Sequence, residues 1–159
     1  MILMTNIWLD KYDNIIKKFT KKKEYNISEN LLNKFIEIGI NLKKNIEITK
    51  KKIEIKENKN LENELYKLLY ILKNLCKEKY KYEFEFLYKK CRNIFEKKNK
   101  DYGDSFIDYG LIGILVRLGD KFNRINSLIN KKEINYESID DTILDSFNYI
   151  ILALILIND

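Results

Sequence analysis

The residues able to do chemistry gather between Lys97 and Tyr149. A tyrosine-glycine turn, KKNKDYGDSF, is followed by GLIGILVRLGDKFNRINSLIN and, after a short link, by ESIDDTILDSFNY. The middle segment carries Arg117, Asp120, Lys121 and Arg124, and the last carries Glu137, Asp141 and Asp145. Cations and carboxylates at helical spacing on two successive helices are the parts needed to hold a metal-bound polyphosphate.

In the last segment, Glu137, Asp141, Asp145 and Asn148 fall within one narrow helical stripe, which includes Leu152 and is flanked by Leu144 and Ile151. Two readings follow. The acids lie on a solvated face, or they point into apolar surroundings where a divalent cation or paired cations offset their burial. Asp140 falls on the opposite side, beside Ile143 and Phe147, near a helix start where the dipole favours an acid.

On the preceding helix, Ile114, Leu118, Phe122, Ile125 and Ile129 form the apolar face. Gly113, Arg117, Asp120, Lys121 and Arg124 lie away from it. A polar face is expected of any amphipathic helix, but two guanidinium forks and a lysine around one aspartate suit phosphate oxygens and a shared metal. Gly113, one turn before Arg117, would let a ligand approach closely. The turn holding Asp101, Tyr102, Gly103 and Asp104 is either a helix cap or a lid whose tyrosine stacks on a base.

These segments need a scaffold, and the composition says what kind. The chain has 159 residues, no proline and only five glycines, of which Gly103, Gly110 and Gly113 lie close together. With 45% hydrophobic and 13% aromatic residues it is too apolar to be disordered, and its richness in Leu, Ile, Lys and Glu makes it helical nearly throughout. Helices are expected over residues 5–19 behind a Thr5 cap, from a Ser28 cap to about Ile48, over 61–77, from Tyr80 to Lys98 with Asn99 and Gly103 as stop residues, and over 110–130 and 137–157. The charged run at 50–60 reads as a loop or frayed helix end, its IEI alternation lacking a partner strand nearby. The expected architecture is a single all-α domain, a bundle of about six helices in which residues 1–80 are scaffold and 81–159 the nucleotide-binding core.

Charge and residue usage exclude several functions. The net charge of +6 sits in the N-terminal half: residues 1–80 hold 18 Lys and Arg against 11 Asp and Glu, and residues 81–159 hold 12 against 13. Aromatics do not interleave with those lysines in a binding pattern, so nucleic acid is an unfavoured partner. The absence of histidine removes histidine-based catalysis and leaves oxygen ligands for any metal. Cys76 and Cys91, far apart and among apolar residues, read as buried reduced thiols. The longest apolar run, Tyr149 to Ile157, is too short to span a bilayer, and the N-terminus lacks the order of a signal peptide. A soluble cytoplasmic protein is expected.

The three ordered motifs, KKNKDYGDSF, then G-x-x-G-x-x-x-R-x-x-DK-x-x-R-x-x-x-L at 110–128, then ES-x-x-DT-x-x-D-x-x-NY at 137–149, resemble the nucleotide modification associated domain of phage and bacterial proteins. The resemblance covers about residues 82–157. That domain is similar to the all-α NTP pyrophosphatases, the MazG-like and dimeric dUTPase group. The resemblance implies a MazG-like four-helix core and Mg²⁺-dependent cleavage of a (d)NTP to monophosphate and pyrophosphate. It makes Asp141 and Asp145 the acids of the second metal helix and Asp120 that of the first, where those enzymes carry a Glu-x-x-Glu pair.

The reading that joins these points is a pyrophosphohydrolase. In it Asp120, Glu137, Asp141 and Asp145 hold Mg²⁺, Arg117, Lys121 and Arg124 neutralise the leaving group, and Tyr102, Gly103 and Asn148 contact the nucleoside. Two others stay open: a nucleotide sensor that binds without hydrolysis, and a basic helical interaction or RNA-binding protein. A homodimer is possible on either nucleotide reading.

Overall fold

The computed structural model describes residues 2–27, 30–44, 46–48, 53–55, 61–102, 108, 110–129 and 136–158. Among them are six helices, α1 (Ile2–Thr20), α2 (Leu31–Lys44), α3 (Leu61–Tyr80), α4 (Phe84–Tyr102), α5 (Gly110–Ile129) and α6 (Tyr136–Asn158), and two short strands, β1 (Ile46–Ile48) and β2 (Ile53–Ile55). The expected all-α bundle of about six helices is what the chain forms, with one small hairpin added.

The hairpin corrects two expectations. Helix α2 stops at Lys44 rather than near Ile48, and the IEI at 53–55 has a partner in the other IEI of the chain. The two tripeptides pair antiparallel in the register Ile46 with Ile55, Glu47 with Glu54 and Ile48 with Ile53. Each is β-branched at alternate positions, a pattern that favours a pleated strand over a helical turn.

Helix ends are set by local chemistry. The Asn30 side chain accepts the backbone N–H groups of Leu32 at 3.0 Å and Asn33 at 3.1 Å and so caps α2; the expected cap, Ser28, lies outside the described residues. Helix α1 begins at Ile2, which places Thr5 inside it. Tyr80 ends α3 instead of opening α4. Lys81 takes the left-handed conformation (φ 57°), and its N–H returns to the Lys77 carbonyl at 3.2 Å. The N–H of Tyr82 bonds the Cys76 carbonyl at 3.3 Å, and α4 then starts two residues later. That helix runs past Asn99, which is buried, to Tyr102.

Helix α6 is the axis of the bundle, in contact with α5, α3, α1 and α4. From Ile139 to Ile155 its side chains are buried, except that Asp140, Asp141, Asp145 and Tyr149 keep access to solvent. Ile143, Phe147, Ile150, Ala153 and Leu154 meet Leu65, Leu68, Leu72 and Tyr12 in one core that draws on all six helices. Between α2 and α5 the backbones come close: a Cβ placed at Gly39 would run into the Phe122 ring, which packs edge-on against Phe35 with centroids 4.8 Å apart.

A second seam joins α1 to α4. Arg92 grips Asp13 with both arms of its guanidinium, Nε at 2.9 Å and Nη2 at 3.1 Å, and the Tyr88 hydroxyl donates to the same carboxylate. Burial and that bond push the Tyr88 hydroxyl up to about 12.

Candidate functional site

The amphipathic pattern of α5 is obeyed in three dimensions. Ile114, Leu118, Phe122 and Ile125 are buried, while Arg117, Asp120 and Arg124 are exposed. Lys121 sits at the boundary, 24% exposed, and reaches across to α6, where its Nζ lies 3.3 Å from Asp145 Oδ2. The other oxygen of that carboxylate, Oδ1, accepts a bond from Lys98 Nζ of α4 at 2.9 Å. One carboxylate thus holds ammonium groups from two other helices, one per oxygen. Arg117, Lys121 and Arg124, spaced by four and three residues, share one stripe of α5 and extend the cationic surface away from Asp145.

The α6 stripe divides. Asp141 is exposed and Asp145 is 24% exposed, whereas Asn148, only slightly further round, is 8% exposed and turned inward. Its Oδ1 accepts the Tyr12 hydroxyl at 2.7 Å and its Nδ2 donates to the Cys91 carbonyl at 2.9 Å. Both halves of the amide are committed to the core, so Asn148 stands apart from Asp145 in role. The open stripe continues instead through Tyr149, whose ring lies 5.9 Å from Lys121 Nζ.

Of the ten residues singled out in the sequence, the structure brings Lys121 to Asp145 and sets Arg117 and Arg124 alongside. Asp120 is exposed on α5. The side chains of Tyr102 and Glu137, and the whole of Gly103, lie outside the described residues. Among the described residues no three acids, cysteines or histidines are grouped to hold a metal ion. The donor set around Asp145 suits an anion better than a divalent cation, because two lysines already neutralise the carboxylate.

Lys98 is the residue that sequence reasoning missed. It lies in the KKNK run among lysines of equal promise, and only the crossing of α4 over α6 selects it. Also unforeseen is a cleft of about 300 Å³ beside Asp141, lined by Tyr80, Tyr82, Lys90, Asp140, Asp141 and Leu144. There the Tyr80 hydroxyl donates to Asp140, a bond that together with burial holds the phenol well above its ordinary range. Asp140 therefore binds a side chain from α3 in addition to its place at the start of α6.

Residues 98–157 match the family described as nucleotide modification associated domain 1. The matched stretch begins at Lys98 and holds Lys121, Asp141 and Asp145, yet it spans less than half of the chain. No curated protein and no solved structure matches the chain. Among the described residues no helix is long and apolar enough to cross a membrane.

Proposed function

We propose that this chain binds a nucleotide through its phosphates, with Lys98 and Lys121 as the paired grips and Arg117 and Arg124 as outer contacts. The observation that carries the reading is the pair of ammonium groups converging from α4 and α5 on the two oxygens of Asp145, at 2.9 and 3.3 Å. A carboxylate held this way stands where a phosphate would sit, presenting two oxygens to the same donors. The name of the matched family supplies the nucleotide.

The hydrolytic form of the reading is Mg²⁺-dependent release of pyrophosphate from a (d)NTP, as in the all-α NTP pyrophosphatases. It asks Asp120, Glu137, Asp141 and Asp145 to share a cation. Asp145 faces lysines, Asp120 faces solvent from α5 and Asp141 borders a cleft. Binding, with the nucleotide kept intact, is therefore the form that the side-chain arrangement favours.

Calorimetric titration with tripolyphosphate and with each common (d)NTP, with and without Mg²⁺, tests both forms. Binding is expected, with Lys98→Ala and Lys121→Ala each weakening it about tenfold, the worth of one charge-assisted contact. Lysine variants that bind as tightly as the parent chain would overturn the phosphate assignment. Release of pyrophosphate over hours with Mg²⁺ would replace sensing by catalysis.

A further inference from the structure

The cleft beside Asp141 has the features of a binding site for a flat ring. Its walls come from three places: Tyr80 and Tyr82 from the turn that ends α3, Lys90 from α4, and Asp140, Asp141 and Leu144 from the first turns of α6. The two tyrosine rings stand 5.4 Å apart and tilted by 41°, and Phe86, 52% exposed, continues the aromatic surface 4.9 Å from Tyr82. An exposed phenylalanine beside Tyr82, just outside the cleft that Tyr80 and Tyr82 line, extends a stacking surface. The backbone is strained to present it, since Lys81, between the two tyrosines, holds the left-handed conformation that a lysine adopts at a cost.

Charge narrows the ligand. Lys90 Nζ lies about equally far from the Tyr82 and Phe86 rings, at 5.9 and 6.0 Å, so these rings already face a cation and an organic ammonium would meet like charge. Asp140 is engaged by the Tyr80 hydroxyl. That leaves Asp141, an exposed carboxylate on the cleft wall, as an acceptor with capacity for an N–H donor. A neutral aromatic ring that carries an amino group satisfies both surfaces. At about 300 Å³ the cleft is at the small end of ligand sites, the size for such a ring alone.

The location supplies the rest. Asp141 precedes Asp145 by one turn of α6, a rise of about 6 Å, which is the scale of the sugar that separates base from phosphate. We propose that this cleft is the base subsite of the nucleotide whose phosphates Lys98 and Lys121 take. It selects a base with an exocyclic amino group, adenine, cytosine or guanine, through a hydrogen bond to Asp141 and stacking on Tyr82 and Phe86. The proposal rests on the phosphate reading above. It also extends recognition beyond the matched segment, because Tyr80, Tyr82 and Lys90 all precede it.

The test compares bases that exchange an exocyclic amino group for an oxo group, a change that also puts a proton on the adjacent ring nitrogen. Calorimetry of the full chain should give CTP about tenfold tighter than UTP, and ATP about tenfold tighter than ITP, the discrimination of one hydrogen bond to a charged group. Asp141→Asn should abolish both preferences and leave tripolyphosphate affinity unchanged. Tyr82→Leu should weaken all four nucleotides and, again, leave tripolyphosphate unchanged; circular dichroism identifies any variant that has lost its fold. Tripolyphosphate binding without any amino-oxo discrimination in the parent chain would overturn the base subsite and spare the phosphate reading. Discrimination among free nucleosides with no tripolyphosphate binding would do the reverse. Equal losses of tripolyphosphate and nucleotide in Asp141→Asn would place Asp141 with the phosphates and overturn the proposal.

Discussion

The Tyr12 hydroxyl donates a hydrogen bond to Asn148 Oδ1 at 2.7 Å, across 136 residues of sequence and in a place where Tyr12 is fully buried. The same amide donates to the Cys91 carbonyl at 2.9 Å, so a single side chain of α6 fastens both α1 and α4. Tyr12 also stacks on Phe95 with centroids 5.3 Å apart. Asn148→Leu leaves the buried Tyr12 phenol without its acceptor, and the Cys91 carbonyl with its helical bond alone, and is expected to cost about 1–3 kcal/mol. Tyr12→Phe strands only the amide oxygen, at about 1–2 kcal/mol. The double variant should lose less than the sum, because each change removes the group that the other leaves stranded. Urea unfolding of the four proteins measures the coupling; strictly additive losses would show that the bond contributes nothing.

Asp145 separates the phosphate and metal readings by the sign of one effect. If Lys98 and Lys121 serve phosphate, the carboxylate competes with the ligand, and Asp145→Asn should tighten tripolyphosphate binding. If Asp145 is a metal ligand, the same change should weaken Mg²⁺-dependent binding. Fold stability should move by no more than about 1 kcal/mol either way, since ion pairs in contact with solvent contribute little.

Gly39 and Phe122 mark where α2 and α5 cannot be pushed apart without loss. Gly39→Ala is expected to cost about 1–3 kcal/mol through overpacking, despite the better helix propensity of alanine. Combining it with Phe122→Leu, which removes the obstructing ring, should recover part of that loss relative to the sum of the two. A Gly39→Ala protein as stable as the parent would mean that the ring moves freely aside.

Alkali should unfold the protein early. Burial raises the Cys76 thiol from 9.0 to about 12, and Tyr66 and Tyr88 from 10.0 to about 12. In each case the unfolded chain releases its proton first. The stabilisation is therefore intact below about pH 9 and falls as pH rises from there towards 12. Denaturation midpoints measured from pH 8 to 11 should decline steadily, while Cys76 and Cys91, both buried, react with a thiol reagent only as fast as the fold opens.

Much of this was legible in the sequence where a pattern repeats. The apolar stripes of α3 and α5 and the absence of proline fix the helical class, and the mixture of Arg117, Lys121 and Arg124 marks the cationic side of the site. What escaped is set by neighbours distant in the chain. The helical stripe on α6 links Asn148 to Asp145 by angle alone, and only the position of Tyr12 and Cys91 decides that one faces the core and the other faces lysines. Lys98 is indistinguishable from Lys97 until α4 crosses α6. Tyr80 fits the periodicity of either helix, and the left-handed Lys81 that assigns it to α3 leaves no mark on the hydrophobic pattern. The hairpin was hidden because each three-residue strand is too short to declare itself without the other.

The stretch shared with other proteins, residues 98–157, contains the end of α4 and all of α5. It ends one residue short of the last helix's own end, and although α5 lies against that helix within the stretch, α1 and α3, which also pack on it, lie wholly outside. Taken alone, the fragment would lack the share that α1 and α3 contribute to the core holding Ile143, Phe147, Ile150 and Leu154. The first eighty residues are thus open to wholesale replacement wherever they only fill space, and closed to it at the few points, such as Tyr12, where they complete a bond.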